Sequence, residues 1–347
     1  MRHTNLLIYA LLLMLIAGCK GNREASTEKF QKHRDKIISV KDKIIGVKTD
    51  IIFGNSCLNI IDDILIVSEV KPSGDRGIHL FNKNTFEYIT STGIAGRGPG
   101  EITRQGTIAV DKKNKILWVS DYGKMVMWKF PLDSILHNRM FLPTGKIDLD
   151  RDLFVERYDF VNDSIVLGKA VRVLGSNKFN MITVKRNLNE TRTEVFGYEH
   201  PDAIGKKSNS YFKLSVANSI YVNCYVFCDL MTICDLEGHL RYNIYGPDAF
   251  SRDNKKEYFC GVDLFANHII ASYIGDNGIL NSESGRPEGN LPSKFLLFDL
   301  DGNYKETIET GSKFTFFCVD EENHRVLACF ADRENPLGYF DLEIGGI

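Results

Sequence analysis

One strand–turn–strand pattern recurs six times along the 347-residue chain and constrains its fold more than any other feature. In each copy an apolar strand reaches a polar turn built on Asn or Asp, and a strand rich in Ile, Leu and Val leaves that turn. The copies lie at Leu58–Val67, Ala109–Val119, Tyr158–Leu167, Leu214–Val222, Val262–Ile270 and Cys318–Leu327. A spacing of roughly 50 residues is typical of repeat architectures, in which each copy is one supersecondary unit.

A third strand follows each copy, and several copies show an outer strand as well. Leu80–Asn82 and Leu297–Asp299, for example, end third strands at a polar turn. Six such repeats without a helical period predict an all-β, six-bladed β-propeller, with blades of three to four antiparallel strands around a central channel. The last copy has only three strands, so we expect Ile37–Val47 to join the last blade and close the ring, which also removes exposed sheet edges.

The Asn residues at the turns suggest a local mechanism. Tight hairpins need positive φ, which Asn and Asp tolerate better than other non-glycine residues. We therefore expect residues such as Asn114, Asn218 and Asn323 to occupy left-handed positions of the six turns.

Three segments lie outside the repeat. Residues 136–152 and 199–210 resemble connections between blades. The polar stretch Gly275–Ser293 lies inside the fifth copy and contains several Gly and Pro residues. Long loops in compact domains are often functional or disordered, and its composition favours disorder.

The N-terminus has the form of a secretory signal peptide, with Arg2 and His3 before an apolar run from Leu6 to Ile16. The run is too short to span a bilayer comfortably. Leu15-Ile16-Ala17-Gly18-Cys19 resembles a bacterial lipobox, against the alternatives of a plain cleavable signal or a core segment. We thus expect a signal peptide over 1–18, lipidation at Cys19 and a bacterial envelope location.

The polar residues after Cys19 predict a flexible tether over 19–35, followed by the propeller over 36–347. No run of acidic residues follows Cys19, which favours a periplasm-facing protein over one exposed on the cell surface. The expected membrane contact is made through the lipid at Cys19. A monomer is expected.

Composition narrows the classes of partner. The net charge is -2 and charged residues make up 25% of the chain, so no basic excess attracts nucleic acid. Seven cysteines follow Cys19, an odd number that does not make a disulfide framework. A bridge between Cys228 and Cys234 is conceivable, but small buried apolar side chains are the favoured interpretation. The cluster lacks the paired spacing of a zinc site, and no metal site is predicted.

The glycine-rich segment 93–102 is the best candidate for a localised site. Its Gly-x-x-Gly-x-Gly order is not a dinucleotide fingerprint, and no helix start follows it. It is either a tightly packed crossing between blades or a binding loop. In the second case Arg97, Glu101 and Arg104 stand at one mouth of the channel and meet a charged ligand.

The motifs Gly96-Arg97-Gly98-Pro99-Gly100-Glu101, Ala109-Val110-Asp111 and Leu117-Trp118-Val119-Ser120-Asp121 resemble those of six-bladed, TolB-like propeller lipoproteins of Bacteroides relatives. The repeat copies resemble NHL repeats more loosely. The resemblance implies a fold and an envelope location rather than a reaction. It favours a lipid-anchored binding module that presents loops and a channel mouth to a protein or glycan partner whose identity stays open.

An alternative is a calcium-dependent lactonase-like hydrolase or lyase, since such enzymes resemble the chain in blade number. Channel carboxylates would then be Glu101, Asp111, Asp159 and Asp263. However, Asp111, Asp263 and Asp320 recur at similar places in the repeat, which favours a structural role in turns. No catalytic residue is predicted, and no cofactor other than the calcium of this alternative is implied.

Overall fold

The computed structural model describes residues 26–49, 51, 54–175, 178–190, 192–251, 253, 255–281 and 285–343. The predicted signal peptide and the lipidation site Cys19 lie outside the described residues. Within the described ranges, no helix has the length and apolar character needed to cross a membrane.

Three short strands precede the first blade: β1 (Glu28–Phe30), β2 (Ile37–Ser39) and β3 (Ile45–Gly46). Blade 1 contains β4 (Ser56–Ile61), β5 (Ile64–Glu69), β6 (Arg76–Asn82) and β7 (Tyr88–Ile94). Blade 2 contains β8 (Gln105–Asp111), β9 (Ile116–Asp121), β10 (Val126–Pro131), helix α1 (Leu132–His137) and β11 (Lys146–Asp148). Blade 3 contains β12 (Leu153–Phe160), β13 (Ile165–Gly175), β14 (Lys178–Asn187) and β15 (Thr193–Val195).

Blade 4 follows a 3₁₀ turn at Gly205–Ser208 and contains β16 (Ser210–Ser215), β17 (Ile220–Tyr225), β18 (Leu230–Asp235) and β19 (Leu240–Tyr245). Blade 5 contains β20 (Lys256–Phe265), β21 (His268–Asn277), the hairpin β22 (Ile279–Asn281) and β23 (Pro287–Gly289), then β24 (Lys294–Asp299) and β25 (Tyr304–Glu309). Blade 6 contains β26 (Phe314–Asp320), β27 (Arg325–Phe330) and β28 (Leu337–Asp341). The all-β, six-bladed propeller is therefore confirmed.

The hydrophobic core lies between neighbouring blades rather than at the centre of the ring. Between blades 5 and 6, for example, Phe295 and Phe314 stack with ring centroids 4.5 Å apart, within an apolar cluster that joins both sheets. The strand alternation explains this arrangement, because every second side chain points out of its sheet toward the next blade. The inner strand of each blade is left to face the channel.

Ring closure by the N-terminal segment is confirmed. β3 pairs antiparallel with β28, Ile45 opposite Tyr339, and supplies the fourth strand of blade 6. The structure adds two further pairings, because β1 runs parallel to β19 of blade 4 and β2 runs parallel to β25 of blade 5. Residues 26–46 thus form an N-terminal strap across the outer edges of blades 4, 5 and 6.

The described part of the predicted flexible tether, residues 26–35, belongs to this strap. Arg34 Nη2 lies 3.0 Å from Asp229 Oδ1, and both side chains are buried. The Arg34 guanidinium also lies over the Tyr273 ring, 4.9 Å from its centroid. Composition could not predict this order, because the strap is held by strand pairing and by a partner far away in sequence.

Two other segments differ from expectation. Residues 136–152 do not merely connect blades, since they contain β11, which pairs with β10 as the outermost strand of blade 2. The predicted disorder of Gly275–Ser293 is wrong for its described part, where β22 and β23 pair as a hairpin. Residues 199–210 do connect blades 3 and 4, as predicted.

The left-handed positions of the turns are not occupied by Asn. Positive φ is found at Asp62 in the first turn, as the tolerance of Asp predicts, but at Lys115, Ser219 and His324 in three others, each directly after the Asn of its turn. The Asn side chains act through hydrogen bonds: Asn114 Nδ2 donates to Asp111 Oδ2 at 2.8 Å, and Asn323 Nδ2 donates to Asp320 Oδ2 at the same distance. Asn therefore stabilises these turns by its amide rather than by its backbone.

The seven cysteines of the described residues are all free, in agreement with the predicted absence of a disulfide framework. Cys224, Cys234, Cys318 and Cys329 are buried. The interpretation as small core side chains is therefore confirmed for these four.

Candidate functional site

A central channel with a volume of about 1590 Å³ is the main cavity candidate of the described residues. The inner strands β4, β8, β12, β16, β20 and β26 surround it. One end of the channel carries the hairpins that join each inner strand to the second strand of its blade. The other end, here called the crossing end, carries the connections between successive blades.

Arg157 enters the channel from β12 of blade 3. The register of β12 against β13 shifts between Val155 and Arg157, so Glu156 is the extra residue of a β-bulge. Bulges re-aim side chains, and here both Glu156 and Arg157 line the channel. On β13, Gly168 allows the close approach, since a Cβ atom at this position would collide with the carbonyl oxygen of Arg157.

Contacts from blade 4 orient the Arg157 guanidinium. It lies over the ring of Tyr211, 4.3 Å from the centroid, and Nη1 donates to the carbonyl oxygen of Ser210 at 2.9 Å. Nη1 also lies 3.8 Å from Met181 Sδ and 3.7 Å from Glu156 Oε2, the latter beyond hydrogen-bond distance. Among the described residues, Nε and Nη2 have no hydrogen-bond partner, and neither atom is buried.

A second cation, Lys213 of β16, lies farther along the channel. Its ammonium group is 3.3 Å from Asp263 Oδ1 of blade 5. Asp263, followed by Asp159, raises the pKa of Lys213 against the opposing effect of burial. Asp159 Oδ2 accepts the backbone N–H of Leu214, so these carboxylates also link neighbouring blades.

The thiols and phenols of the channel wall are neutral. Burial raises the pKa of Cys57 to about 11 although Arg157 lowers it, and burial raises that of Cys260 to about 12. Burial also raises the pKa of Tyr211 to about 12, again against Arg157. Since the thiolate is the nucleophilic form of cysteine, these thiols are inert near neutral pH. Near Arg157 the wall therefore presents neutral thiols and phenols, and the Glu156 carboxylate, 3.7 Å from Nη1, is the nearby anion.

The glycine-rich segment is held by its neighbours as a compact crossing. The buried Asp121 carboxylate accepts the backbone N–H groups of Thr103 and Arg104, each at 3.0 Å. Lys124 Nζ donates to the carbonyl oxygens of Gly98 and Glu101, each at 2.7 Å. These contacts give the segment a structural role, as one of the two sequence interpretations expected.

The three residues predicted for ligand binding do not converge. The Glu101 carboxylate folds back and accepts the backbone N–H of Gly98 at 2.6 Å. Arg97 is exposed on the outside of the crossing. Arg104 lines the channel, whereas Arg97 and Glu101 do not. Their role in binding stays a prediction.

The carboxylates nominated for calcium do not form one cluster, although Asp159 and Asp263 both lie near Lys213. Asp111 is engaged in its own turn, and Asp263 faces Lys213. The predicted equivalence of Asp263 with Asp111 and Asp320 is wrong: the latter two end their inner strands, whereas Asp263 lies two residue pairs before the end of β20. In the described ranges, no group of three or more His, Cys, Asp or Glu residues could hold a metal ion.

Sequence reasoning missed Arg157, Tyr211 and Lys213. All three lie just before the predicted copies that begin at Tyr158 and Leu214, where the inner strands extend farther than the repeat pattern indicates. A charged side chain there must face either another blade or the channel. Only the β-bulge and the strand register decide which of the two it faces.

Solved structures show the same fold at low sequence identity. A DUF4221-family protein from Bacteroides vulgatus has a TM-score of 0.60 at 11% identity, covering 86% of this chain and 97% of the other. A protein from Bacteroides fragilis, described as a "Putative exported protein", has a TM-score of 0.53 at 10% identity, covering 90% and 98%. A luciferin-regenerating enzyme has a TM-score of 0.53 at 7% identity, covering 84% and 92%.

Matches at this level of identity establish the fold alone. No curated protein matches the chain. Residues 56–322 match the family model described as TolB-like 6-blade propeller-like, and this range is well over half of the chain. The chain therefore belongs to the TolB-like six-bladed propeller family.

Proposed function

We propose that the protein is a lipid-anchored, non-catalytic binding module of the bacterial envelope. Its ligand is a glycan or protein partner that places an anionic group, such as a carboxylate, in the channel near Arg157. The site has the rigidity that binding requires, because its side chains come from the inner strands of a closed ring.

The observation that carries this proposal is the set of hydrogen bonds that the Arg157 guanidinium makes and leaves open. Its Nη1 group and its ring contact fix the plane, while Nε and Nη2 stay accessible and without a hydrogen-bond partner in the described structure. A guanidinium held in this way is suited to two parallel hydrogen bonds with a carboxylate. Glu156 Oε2, 3.7 Å from Nη1, is within ion-pair distance of the guanidinium but makes no hydrogen bond to it.

Two observations support the proposed location in the cell envelope. Leu15–Cys19 has the form of a lipobox. The Bacteroides fragilis protein of the same fold is described as a "Putative exported protein". Both support an extracytoplasmic location. The orientation toward the periplasm follows from the lack of acidic residues after Cys19 and belongs to the proposal.

Capture from envelope extracts tests the proposal. Full-length protein is compared with Arg157→Gln and with the double variant Arg97→Ala, Glu101→Ala, and the affinity of the captured partner is then measured with each. Losing charged hydrogen bonds costs about 1.5–3 kcal/mol, so Arg157→Gln is expected to weaken binding roughly 10- to 100-fold. The double variant tests the alternative site at the glycine-rich crossing and, if the channel is the site, binds like the wild type.

The opposite pattern would place the site at the glycine-rich crossing. Wild-type affinity in Arg157→Gln together with loss in the double variant would refute the channel site. A partner that is chemically converted during incubation would refute the non-catalytic role.

A further inference from the structure

The distribution of exposed apolar side chains is uneven around the ring. The four most exposed large ones are Phe250 at 73%, Val173 at 71%, Ile279 at 66% and Ile204 at 65%. All four belong to blades 3 to 5 or to the connections between them, and all lie at the crossing end, opposite the hairpin turns of the inner strands. Together with Leu174 they are called the apolar rim. Exposed apolar side chains grouped on one side of a monomer can mark an interaction site.

Contacts with neighbouring residues hold two parts of the rim in place. In blade 3, β13 and β14 extend beyond their sheet, with Val173 paired to Phe179 near the tip. The backbone N–H of Gly205 donates to Asn180 Oδ1 at 2.8 Å and holds the Ile204 segment against this projection. In blade 4, Phe250 stacks on Tyr245 with centroids 5.5 Å apart.

Basic residues accompany the apolar ones in blade 3 and its connection to blade 4, whereas the exposed charges near Phe250 and Ile279 are of both signs, namely Asp253, Lys255, Asp276, Arg286 and Glu288. Arg172 and Lys178 flank the tip of the projection, and Lys206 and Lys207 follow Ile204, all of them exposed. Asp202 is the exposed acidic residue of these two segments. Apolar side chains flanked by cations are suited to the interfacial region of a bilayer with anionic headgroups.

The start of the strap lies beside the same blades. β1 runs along the outer edge of blade 4, and its last residue, Phe30, stacks on Tyr245 with centroids 4.8 Å apart. Cys19 precedes Ser26 by seven residues, and a chain of this length spans at most about 25 Å. Because β1 runs parallel to β19, its first residues lie at the hairpin end of blade 4, and a lipid at Cys19 would keep the outer edge of blade 4 within about 25 Å of the membrane surface.

We infer that the apolar rim of blades 3 to 5 docks onto an anionic phospholipid bilayer. Blade 4 is then the blade nearest the membrane. The lipid anchor at Cys19 is part of the proposed function, and this inference rests on it. The contact of the apolar rim with the bilayer depends only on the side chains of the rim.

Tryptophan placed on the rim reports this contact directly. Full-length protein carrying Ile204→Trp is reconstituted into vesicles that contain phosphatidylglycerol and brominated phosphatidylcholine. The control is Val216→Trp, because Val216 is an exposed apolar residue of the same blade at the opposite end of the ring. The signal of the native Trp118 and Trp128, both buried, is subtracted with the wild type.

The expected result is quenching and a blue shift for Ile204→Trp and neither for Val216→Trp, with the effect weakened in vesicles that lack phosphatidylglycerol. Equal, unquenched emission from both variants on vesicles that carry the protein overturns the docking but keeps the anchor. Failure of the protein to float with vesicles overturns both. A blue shift that appears without lipid and grows with protein concentration would show that the rim contacts a second copy of the protein. This result would also overturn the inference.

Discussion

Replacing Arg34 by Met removes the cation that holds the N-terminal strap to the junction of blades 4 and 5. The Asp229 carboxylate is fully buried and would keep the Tyr273 hydroxyl, at 3.1 Å, as its main side-chain donor. Removing one partner of a buried ion pair leaves an uncompensated charge and costs about 3–5 kcal/mol. Methionine retains most of the apolar stem, so the loss reports the charge.

The magnitude can be expressed as a melting temperature. Unfolding entropy scales at about 2.1 cal/mol/K per residue, which for a chain of 347 residues amounts to about 0.7 kcal/mol/K. Arg34→Met is therefore expected to lower the melting temperature by about 4–7 °C. Differential scanning calorimetry of the full-length protein measures this shift.

A second ion pair of the strap supplies the matched control. Lys43 and Glu343 lie 3.1 Å apart but are exposed, and exposed pairs contribute at most about 1 kcal/mol. Lys43→Met should therefore shift the melting temperature by about 1 °C. Adding Asp229→Asn to Arg34→Met should recover part of the loss by removing the buried charge. Equal melting temperatures of the two single variants would refute the reasoning.

Three further changes test the site and the ring. Gly168→Ala brings a Cβ atom against the Arg157 carbonyl and should weaken partner binding as Arg157→Gln does; wild-type affinity would show that the β-bulge does not position the guanidinium. Burial raises the pKa of Asp320, but hydrogen bonds from Asn323 and Lys83 outweigh it and lower the pKa below its ordinary value. Its stabilising contribution is thus present above about pH 4 and is lost as the pH falls through the lowered folded-state pKa. The difference in urea midpoint between wild type and Asp320→Asn should be largest at neutral pH and shrink in acid, and a constant difference would contradict this. Calcium should leave the melting temperature unchanged, whereas a saturable rise, the mark of binding to the folded state, would favour the lactonase-like alternative.

The repeat and the blade number could be predicted because they depend on local chemistry, and the closing strand could be predicted because the last copy has only three strands. Alternating apolar residues predict a strand, and a polar turn ends it, whatever the rest of the chain does. The turns show that local patterns predict only part of the structure even within a few residues. Asn114 and Asn323 were recognised as turn residues, but their side-chain bonds to Asp111 and Asp320 depend on the final geometry.

The sequence by itself determined the number and kind of the blades. Only the tertiary structure decided what meets in the channel: Arg157 lies against Tyr211, and Lys213 faces Asp263, each pair joining different blades. It also decided that Arg34 reaches Asp229 and that Glu28–Phe30 pairs with blade 4. The physical reason is that a one-residue change in strand register moves a side chain to the other face of its sheet. Packing between blades fixes the strand register and the bulges, and a local sequence pattern does not predict this packing.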